Sequence, residues 1–301
     1  MSGFKAFKNK IKAHFRPEDR KKVLLLAAAG FGALFVVILC VVLLTGFRHF
    51  RDTTIYTGRM FPLFSTADKA SVYSYQTNKI RVSVHEYDEY PSHYFVADVR
   101  VRDPESFRNV FAGEEFDSGD RYAEDIAKEH NAILAVNSDF NWGLVIRNGE
   151  LLRAENWDLP MLAMYKDGKM EIIHDQQNAD PQKLLRSGVR DTWTFGPVLV
   201  ENGKNVVDPD EGDSYHPRTA LGYYSPGHYC LVVVDGRQSG YSTGILLTDL
   251  AELMKSLGCS LAYNFDGGAS SQMVVDGKII NRPSVLPPRP HRNMIVVAEP
   301  E

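Results

Sequence analysis

The sequence has 301 residues, carries a formal net charge of −4 and is 44% hydrophobic, which is enough for one large packed domain. The charge is uneven: residues 1–22 contain eight basic and two acidic side chains, a net charge of +6, and the remainder carries −10. An acidic main region argues against nucleic acid as a partner, because phosphate neutralisation requires clustered Lys and Arg.

The first predicted element is a transmembrane helix over residues 23–45, a run of 23 residues without a charged side chain. A bilayer core of about 30 Å needs about 20 helical residues, and a cleavable signal peptide has an apolar core of only about 7–15. Because the basic residues precede the run, the positive-inside rule places the N-terminus in the cytoplasm. We therefore predict a single-pass protein of the cell membrane with a cytoplasmic tail (1–22), a juxtamembrane stalk (46–78) and an extracellular domain (79–301).

The first half of this domain is predicted to be rich in strands. Period-two alternation predicts strands at 79–87 and, after the Tyr90-Pro91 turn, at 92–101. Helical spacing over 121–130 leads into a buried strand at 132–136. Hairpin turns are then indicated at Asn148-Gly149, Asp167-Gly168 and Asn202-Gly203.

The second half predicts a strand–helix–strand unit. Strands are expected at 218–224 and 228–234, followed by a helix from Thr248, its N-cap, to a stop at Gly258. Another buried strand ends at Phe265, and a hairpin follows at Asp276-Gly277. Together these elements predict an α+β domain with a mixed β-sheet and one βαβ unit. We expect the functional site to lie on this βαβ unit.

Two aspartates mark the predicted site. Asp235 and Asp266 follow the two strands of the βαβ unit and lie 31 residues apart, so we expect both at the carboxyl ends of neighbouring parallel strands. Paired carboxylates can divide acid, base and nucleophile roles in sugar hydrolysis. Arg237 offers a guanidinium that fits a phosphate, and the Gly267-Gly268-Ala269-Ser270-Ser271 loop offers N–H and hydroxyl donors.

Other polar residues are weaker candidates. Asn137 and Asp139 follow the strand at 132–136. Arg218 begins the strand at 218–224, and His216 lies two residues before it. His216 is equally explained as a site residue or as a turn residue. The sequence contains no zinc-type Cys/His spacing, HExxH, P-loop or GxSxG motif, and a carboxylate-bound divalent cation stays open. Cys230 and Cys259 are interpreted as free core thiols, with a disulfide as the alternative.

The order of these motifs resembles the phosphodiester glycosidase family over roughly residues 79–298. The resemblance is carried by AILAVNSDF (132–140), TFGPVLVENGK (194–204), HPRTALGYY (216–224), LVVVDGRQSGYSTGILLTDLAELMKSLGC (231–259), AYNFDGGASSQMVVDGKIINRPS (262–284) and RPHRNMIVV (289–297). It implies hydrolysis of a sugar 1-phosphodiester, similar to an N-acetylglucosamine-1-phosphodiester, with release of free sugar and a phosphomonoester.

The resemblance assigns functional positions residue by residue. It points to Asn137, Arg218, Asp235, Arg237, Asp266, Gly267, Gly268, Ser270, Asn281 and Arg289. The chain departs from the family in Ser138-Asp139-Phe140, where Gly-Gly and an aromatic residue are usual, and in Ala269, where a third glycine is usual. The added carboxylate of Asp139 is expected to alter substrate choice or to recruit a cation.

We therefore predict a membrane-anchored glycosidase of envelope or exopolysaccharide metabolism. The sequence indicates no cofactor and leaves a divalent cation open. Asp235 and Asp266 are the predicted catalytic pair. The predicted substrate-binding residues are Asn137, Asp139, His216, Arg218, Arg237, Gly267, Gly268, Ser270, Ser271, Asn281 and Arg289. Two alternatives stay open: a non-catalytic glycan-binding or assembly module for exopolysaccharide or teichoic acid, and a hydrolase whose divalent cation is held by Asp139 and Asp266. Nothing in the sequence determines the oligomeric state.

Overall fold

The structure, a computed structural model, describes residues 71–300 except Tyr90, Glu114 and 210–213. Within these residues, no helix has the length and apolar character needed to cross a membrane. The predicted cytoplasmic tail, the predicted span at 23–45 and most of the predicted stalk lie outside the described residues.

The described part of the chain is rich in strands, with three α-helices. The helices are α1 (Ala123–Glu129), α2 (Pro181–Arg186) and α3 (Leu247–Ser256). The strands are β1 (Tyr73–Gln76), β2 (Ile80–Glu89), β3 (Ser92–Val101), β4 (Phe107–Phe111), β5 (Leu134–Asn137), β6 (Leu144–Arg147), β7 (Glu150–Ala154), β8 (Met161–Tyr165), β9 (Met170–Ile173), β10 (Val189–Thr194), β11 (Val198–Glu201), β12 (Lys204–Asn205), β13 (Arg218–Ser225), β14 (His228–Val234), β15 (Leu261–Phe265), β16 (Met273–Val275), β17 (Lys278–Ile279) and β18 (Asn293–Val297).

Two sheets form the centre of the domain. The large sheet has eight strands in the order β1-β2-β3-β14-β13-β15-β11-β12, and a second sheet has five in the order β17-β16-β5-β18-β4. A three-stranded sheet (β10-β8-β9) and the β6-β7 hairpin complete the described strands. This sheet-rich architecture with few helices confirms the α+β class. β1 pairs with β2, so the large sheet extends into the segment predicted as stalk.

The large sheet is buried on both faces, as its central strand shows. Along β14, Tyr229, Leu231 and Val233 pack into the core that also contains residues of the five-stranded sheet. The alternate residues Cys230, Val232 and Val234 pack towards the apolar side of α3. Burial on both faces explains the continuous apolar run of this strand. Cys230 and Cys259 are buried free thiols, as predicted.

The βαβ prediction needs a correction. β14 and β15 run parallel and α3 connects them, but β13 lies between them and pairs antiparallel with both. Every strand pair in the described sheets is antiparallel, so the prediction of parallel neighbours is wrong. Strand order depends on which edges the whole chain makes available, and the local sequence does not specify it.

Most local predictions agree with the structure. The two strands at the start of the domain, the helix at 121–130 and the four Asn-Gly or Asp-Gly hairpins are confirmed. One detail is wrong: α3 is capped by Leu246, with no side-chain capping hydrogen bond, and Thr248 lies inside the first turn. The expected stop is confirmed, because Gly258 has a φ of 85° directly after the C-cap residue.

Candidate active site

The candidate site lies at one edge of the large sheet, where three central strands meet. Because β14 and β15 are parallel, Asp235 and Asp266 leave the sheet at the same edge. β13 runs in the opposite direction and therefore starts at that edge. Arg218 is paired with Val234, the residue before Asp235, and Thr219 with Phe265, the residue before Asp266. The inserted strand thus brings an arginine between the two aspartates.

Glycines at this edge allow loops to approach one another closely. A Cβ on Gly267 would lie 2.6 Å from the carbonyl oxygen of Pro217, and one on Gly236 would lie 2.8 Å from the Pro217 nitrogen. At Gly268, where φ is +64°, a Cβ would lie 3.0 Å from Nη1 of Arg237. The missing side chains therefore let the Arg237 guanidinium pack directly on the loop that follows Asp266.

The carboxylate of Asp235 is bonded to the protein itself. The residue is 1% exposed and accepts hydrogen bonds from Nδ2 of Asn281 at 2.7 Å, the Tyr241 hydroxyl at 2.9 Å and the Arg282 backbone N–H at 2.9 Å. Burial raises the pKa of this carboxyl, and the three hydrogen bonds oppose the shift. Asp235 thus holds the chain around residue 281 and Tyr241 in place.

Asp266 differs because its carboxylate borders a cavity of about 240 Å³. Its side chain is 16% exposed, and Nη1 of Arg289 lies 3.9 Å from its Oδ2. Burial raises the pKa of the Asp266 carboxyl, whereas a hydrogen bond from Ser270 and the charge of Arg289 oppose the shift. This carboxylate is therefore the member of the predicted pair that a substrate can contact.

Two predicted substrate-binding asparagines act within the protein. Nδ2 of Asn137 donates to the backbone oxygen of Asp266 at 2.7 Å, and its Oδ1 accepts from Thr219 Oγ1 at 2.8 Å and from the Gln272 N–H at 3.1 Å. Asn281 donates to Asp235 and to the Ser271 carbonyl at 3.0 Å, and its oxygen accepts from the backbone of β16. Both side chains position the loops of the site.

The carboxylate of Asp139 is also bonded to the protein itself. Its side chain has no exposed surface and forms an ion pair with Nη2 of Arg147 at 3.1 Å. It accepts backbone hydrogen bonds from Asn141 at 3.2 Å and Thr194 at 3.1 Å. Burial raises the pKa of this carboxyl, and Arg147 opposes the shift. The carboxylate therefore stabilises the loop after β5, and Asp139 is one of the residues that line the cavity bordered by Asp266.

The donor set for a cation held by Asp139 and Asp266 is therefore not assembled. Asp139 contacts an arginine, which repels a cation, and Asp266 has Arg289 beside it. Among the described residues, no group of three or more His, Cys, Asp or Glu side chains is arranged to hold a metal ion.

The predicted cationic residues do come together. Nη2 of Arg237 lies 3.4 Å from Nδ1 of His216, whose Nε2 is 2.8 Å from Oγ of Ser214. Arg218 donates to the carbonyl oxygen of Ser214 at 3.2 Å. Of the loop serines, Ser270 hydrogen bonds to Asp266, and Ser271 is buried and contributes its carbonyl oxygen. His216 thus belongs to a cluster of polar and cationic side chains with Ser214, Arg218 and Arg237.

Several residues at the cavity were missed by the sequence analysis. His291 is 7% exposed and lines the cavity, and burial, together with the charge of Arg289, lowers its pKa to about 4. Phe140 and Trp142 line the same cavity. The available signal was the pair of aromatic residues soon after Asn137, but neither aromatic content nor a lone histidine in RPHRN indicates a site by itself.

The chain is similar in sequence to a known family and to two curated proteins. The sequence profile of the phosphodiester glycosidase family matches residues 120–298. The SPbeta prophage-derived protein YomE of Bacillus subtilis is 32% identical over 171 residues, which is 52% of this chain and 26% of YomE. Protein RC0079 of Rickettsia conorii is 39% identical over 67 residues, 22% of this chain and 24% of that protein. The matches thus span about a quarter of the length of these curated relatives.

Solved structures with a similar fold include a zebrafish enzyme domain and a protein from Synechocystis. The catalytic domain of zebrafish N-acetylglucosamine-1-phosphodiester alpha-N-acetylglucosaminidase, auto-inhibited by its pro-peptide, superposes with a TM-score of 0.60 at 20% identity, covering 77% of this chain and 87% of that one. A hypothetical protein from Synechocystis superposes with a TM-score of 0.57 at 17% identity, covering 76% of this chain and 64% of that one. At these identities the likeness shows a shared fold.

Proposed function

Because the chain belongs to the phosphodiester glycosidase family, we propose that it is a hydrolase that cleaves the sugar–oxygen bond of a sugar 1-phosphodiester. The observation that carries the proposal is the Asp266 carboxylate, which borders the cavity with Arg289 3.9 Å away. The Arg237 guanidinium packs against Gly268, two residues after Asp266. A carboxylate with guanidinium groups near it suits a substrate with a developing positive charge beside a phosphate.

The reaction separates charge along the bond that breaks. As the bond between the anomeric carbon and the phosphate oxygen opens, its electron pair passes to the phosphate, and the sugar carbon becomes cationic. We assign stabilisation of that carbon to the ionised Asp266 carboxylate, and binding of the departing phosphate to Arg237, Arg218 and Arg289. Water then adds to the anomeric carbon as the hydroxyl of the free sugar, and its remaining proton passes to the phosphomonoester or to solvent.

Asp235 has a positioning role in this proposal. Its three hydrogen bonds fix Asn281, Arg282 and Tyr241 at the edge of the sheet, and its own carboxylate is buried. The Asp235 side chain acts on the site through these neighbours and does not touch the substrate.

We also propose that the protein acts on a glycan outside the cytoplasm, in envelope or exopolysaccharide metabolism. The proposal rests on the uncharged run at 23–45 and on the basic segment that precedes it. The first substrate to test is an N-acetylglucosamine-1-phosphodiester, because the similar zebrafish catalytic domain belongs to an enzyme named for that compound class.

The test uses the full-length chain with a panel of sugar 1-phosphodiesters, beginning with N-acetylglucosamine-1-phospho-methyl. We expect release of free sugar, with turnover at least about hundredfold lower in Asp266→Asn. Asp276→Asn, in the exposed β16–β17 hairpin, is the matched control and should retain turnover. Full activity of Asp266→Asn would remove Asp266 from the mechanism. Saturable glycan binding without turnover of any compound would instead favour the glycan-binding module.

A further inference from the structure

Four aromatic rings cluster beside the cavity, and we call them the aromatic platform: Phe140, Trp142, Trp157 and Phe195. The Trp142 ring centroid lies 5.4 Å from that of Trp157 and 6.1 Å from that of Phe195, with interplanar angles of 29° and 9°. Phe140 lies 4.9 Å from Trp142. The rings come from three separate loops, after β5, after β7 and after β10, so the cluster is a tertiary feature.

The platform is open to solvent. Trp142 is 39% exposed, and the other three rings are partly exposed. Leu159, near Trp157 in the chain, is also 39% exposed. Large apolar side chains that face water side by side gain free energy when a ligand covers them, and such patches mark binding sites.

The platform is continuous with the candidate active site. Phe140 and Trp142 line the cavity that Asp266 borders. The Arg289 guanidinium lies 5.2 Å above the Phe140 ring and 3.9 Å from the Asp266 carboxylate. One guanidinium therefore separates the carboxylate from the first ring of the platform, and a substrate that reaches Asp266 extends over the rings if it is longer than one sugar.

The surroundings of the platform are polar. Asp120 and Arg292, an exposed ion pair of 3.3 Å, line the same cavity as Trp142. An acyl chain would leave these groups facing apolar surface, which costs free energy. A pyranose ring has one apolar C–H face for stacking and a rim of hydroxyls for hydrogen bonding, so it matches both kinds of group.

We propose that the aromatic platform binds a second pyranose ring, so that the preferred substrate carries at least two sugar units. This inference rests on the proposed hydrolysis at Asp266 and specifies its substrate. Trp142 provides the stacking face, and the neighbouring rings hold Trp142 in position.

The test compares two substrates with the full-length chain: N-acetylglucosamine-1-phospho-methyl, and an analogue in which a second sugar is linked either to the first sugar or to the phosphate. We expect a higher kcat/KM for the extended substrate than for the short one. We expect Trp142→Ala to lower the ratio of these two kcat/KM values about tenfold. Trp142→Phe should restore part of the ratio. Val206→Ala, which truncates an exposed apolar side chain elsewhere, is the control and should leave the ratio unchanged.

Tryptophan fluorescence titration with an unreactive oligosaccharide separates this proposal from hydrolysis itself. Saturable binding that Trp142→Ala abolishes supports the platform even if no phosphodiester is turned over. Turnover with an unchanged substrate ratio in Trp142→Ala, and no oligosaccharide binding, would overturn the platform and leave the hydrolase proposal standing. Tighter binding of a nucleoside monophosphate than of the oligosaccharide would also overturn it.

Discussion

Asp266 and His291 border one cavity, and burial moves their pKa values in opposite directions. It raises the pKa of the Asp266 carboxyl and lowers that of the His291 imidazole to about 4. In both cases burial disfavours the charged form. At neutral pH the imidazole is therefore uncharged, so the positive charge beside Asp266 comes from Arg289.

His291 makes the stability of the protein depend on pH. Its pKa is about 4 in the folded protein, against an ordinary value of 6.5 for a solvated histidine, so the unfolded chain binds the proton first as the pH falls. Stability is then lost between these two values. We expect the wild type to lose about 2 kcal/mol more than His291→Gln between about pH 7.5 and about pH 4.5. Urea unfolding at the two pH values measures the difference.

The control for this prediction is Val206→Ala. Val206 is an exposed apolar residue without a titratable group, so this variant should show the pH slope of the wild type. If the unfolding free energy of His291→Gln depends on pH as steeply as that of the wild type, His291 is not the source of this pH dependence.

At the scale of elements, the sequence predicted that Asp235 and Asp266 leave the sheet at the same edge, and it did not predict the order of the strands. Apolar runs that end in Asp235 and Asp266 indicate strand ends, and each aspartate is followed by glycine. The insertion of β13 between the two strands depends on pairing across the whole sheet. This insertion places the start of β13, with Arg218, between the strand ends that precede the two aspartates.

The roles of individual polar residues were harder to predict than their positions. Asn137, Asp139 and Asn281 all lie near strand ends, as expected, but their side chains bond to protein groups. Which way such a side chain turns depends on the partners that distant segments offer. The partner of Asp139 is Arg147, on a strand that the sequence showed only as one side of a hairpin.

The loop after β15 provides a test at this scale. In Gly267→Ala, the new methyl group would lie 2.6 Å from the Pro217 carbonyl, so backbone must move at the start of β13. We expect a loss of about 1–3 kcal/mol in unfolding free energy, and turnover about hundredfold lower, because the displacement reaches Arg218. Chemical denaturation and the sugar-release assay measure the two effects.

Gly277→Ala is the matched control, because Gly277 has a φ of +72° and open space around it. It should lose about 1 kcal/mol of stability and keep its turnover. Normal turnover in a folded Gly267→Ala protein would show that the close approach to Pro217 does not position the site.

At the scale of the whole molecule, the prediction to test is the membrane anchor. We expect the full-length chain to stay with membranes after alkaline carbonate extraction, and a chain lacking residues 1–45 to be released, because the uncharged run is long enough to span the bilayer. Fractionation followed by immunoblotting measures the distribution of both proteins.

The orientation of the anchor has its own test. Protease added to intact cells should digest the domain at 79–301 and leave an epitope tag at the N-terminus intact, as the basic segment at 1–22 requires. Protection of the domain, with the tag digested, would reverse the proposed orientation. Release of the full-length chain by carbonate would contradict the anchor itself.

Asn137 links the two central sheets of the domain. This buried side chain belongs to β5 of the five-stranded sheet, yet it bonds to Thr219 of the large sheet and to the backbone of Asp266. The placement of the Asp266 carboxylate is therefore mechanically coupled to the spacing and angle of the two sheets. We expect core substitutions that shift one sheet relative to the other to lower turnover before they unfold the protein, even where they lie far from the cavity.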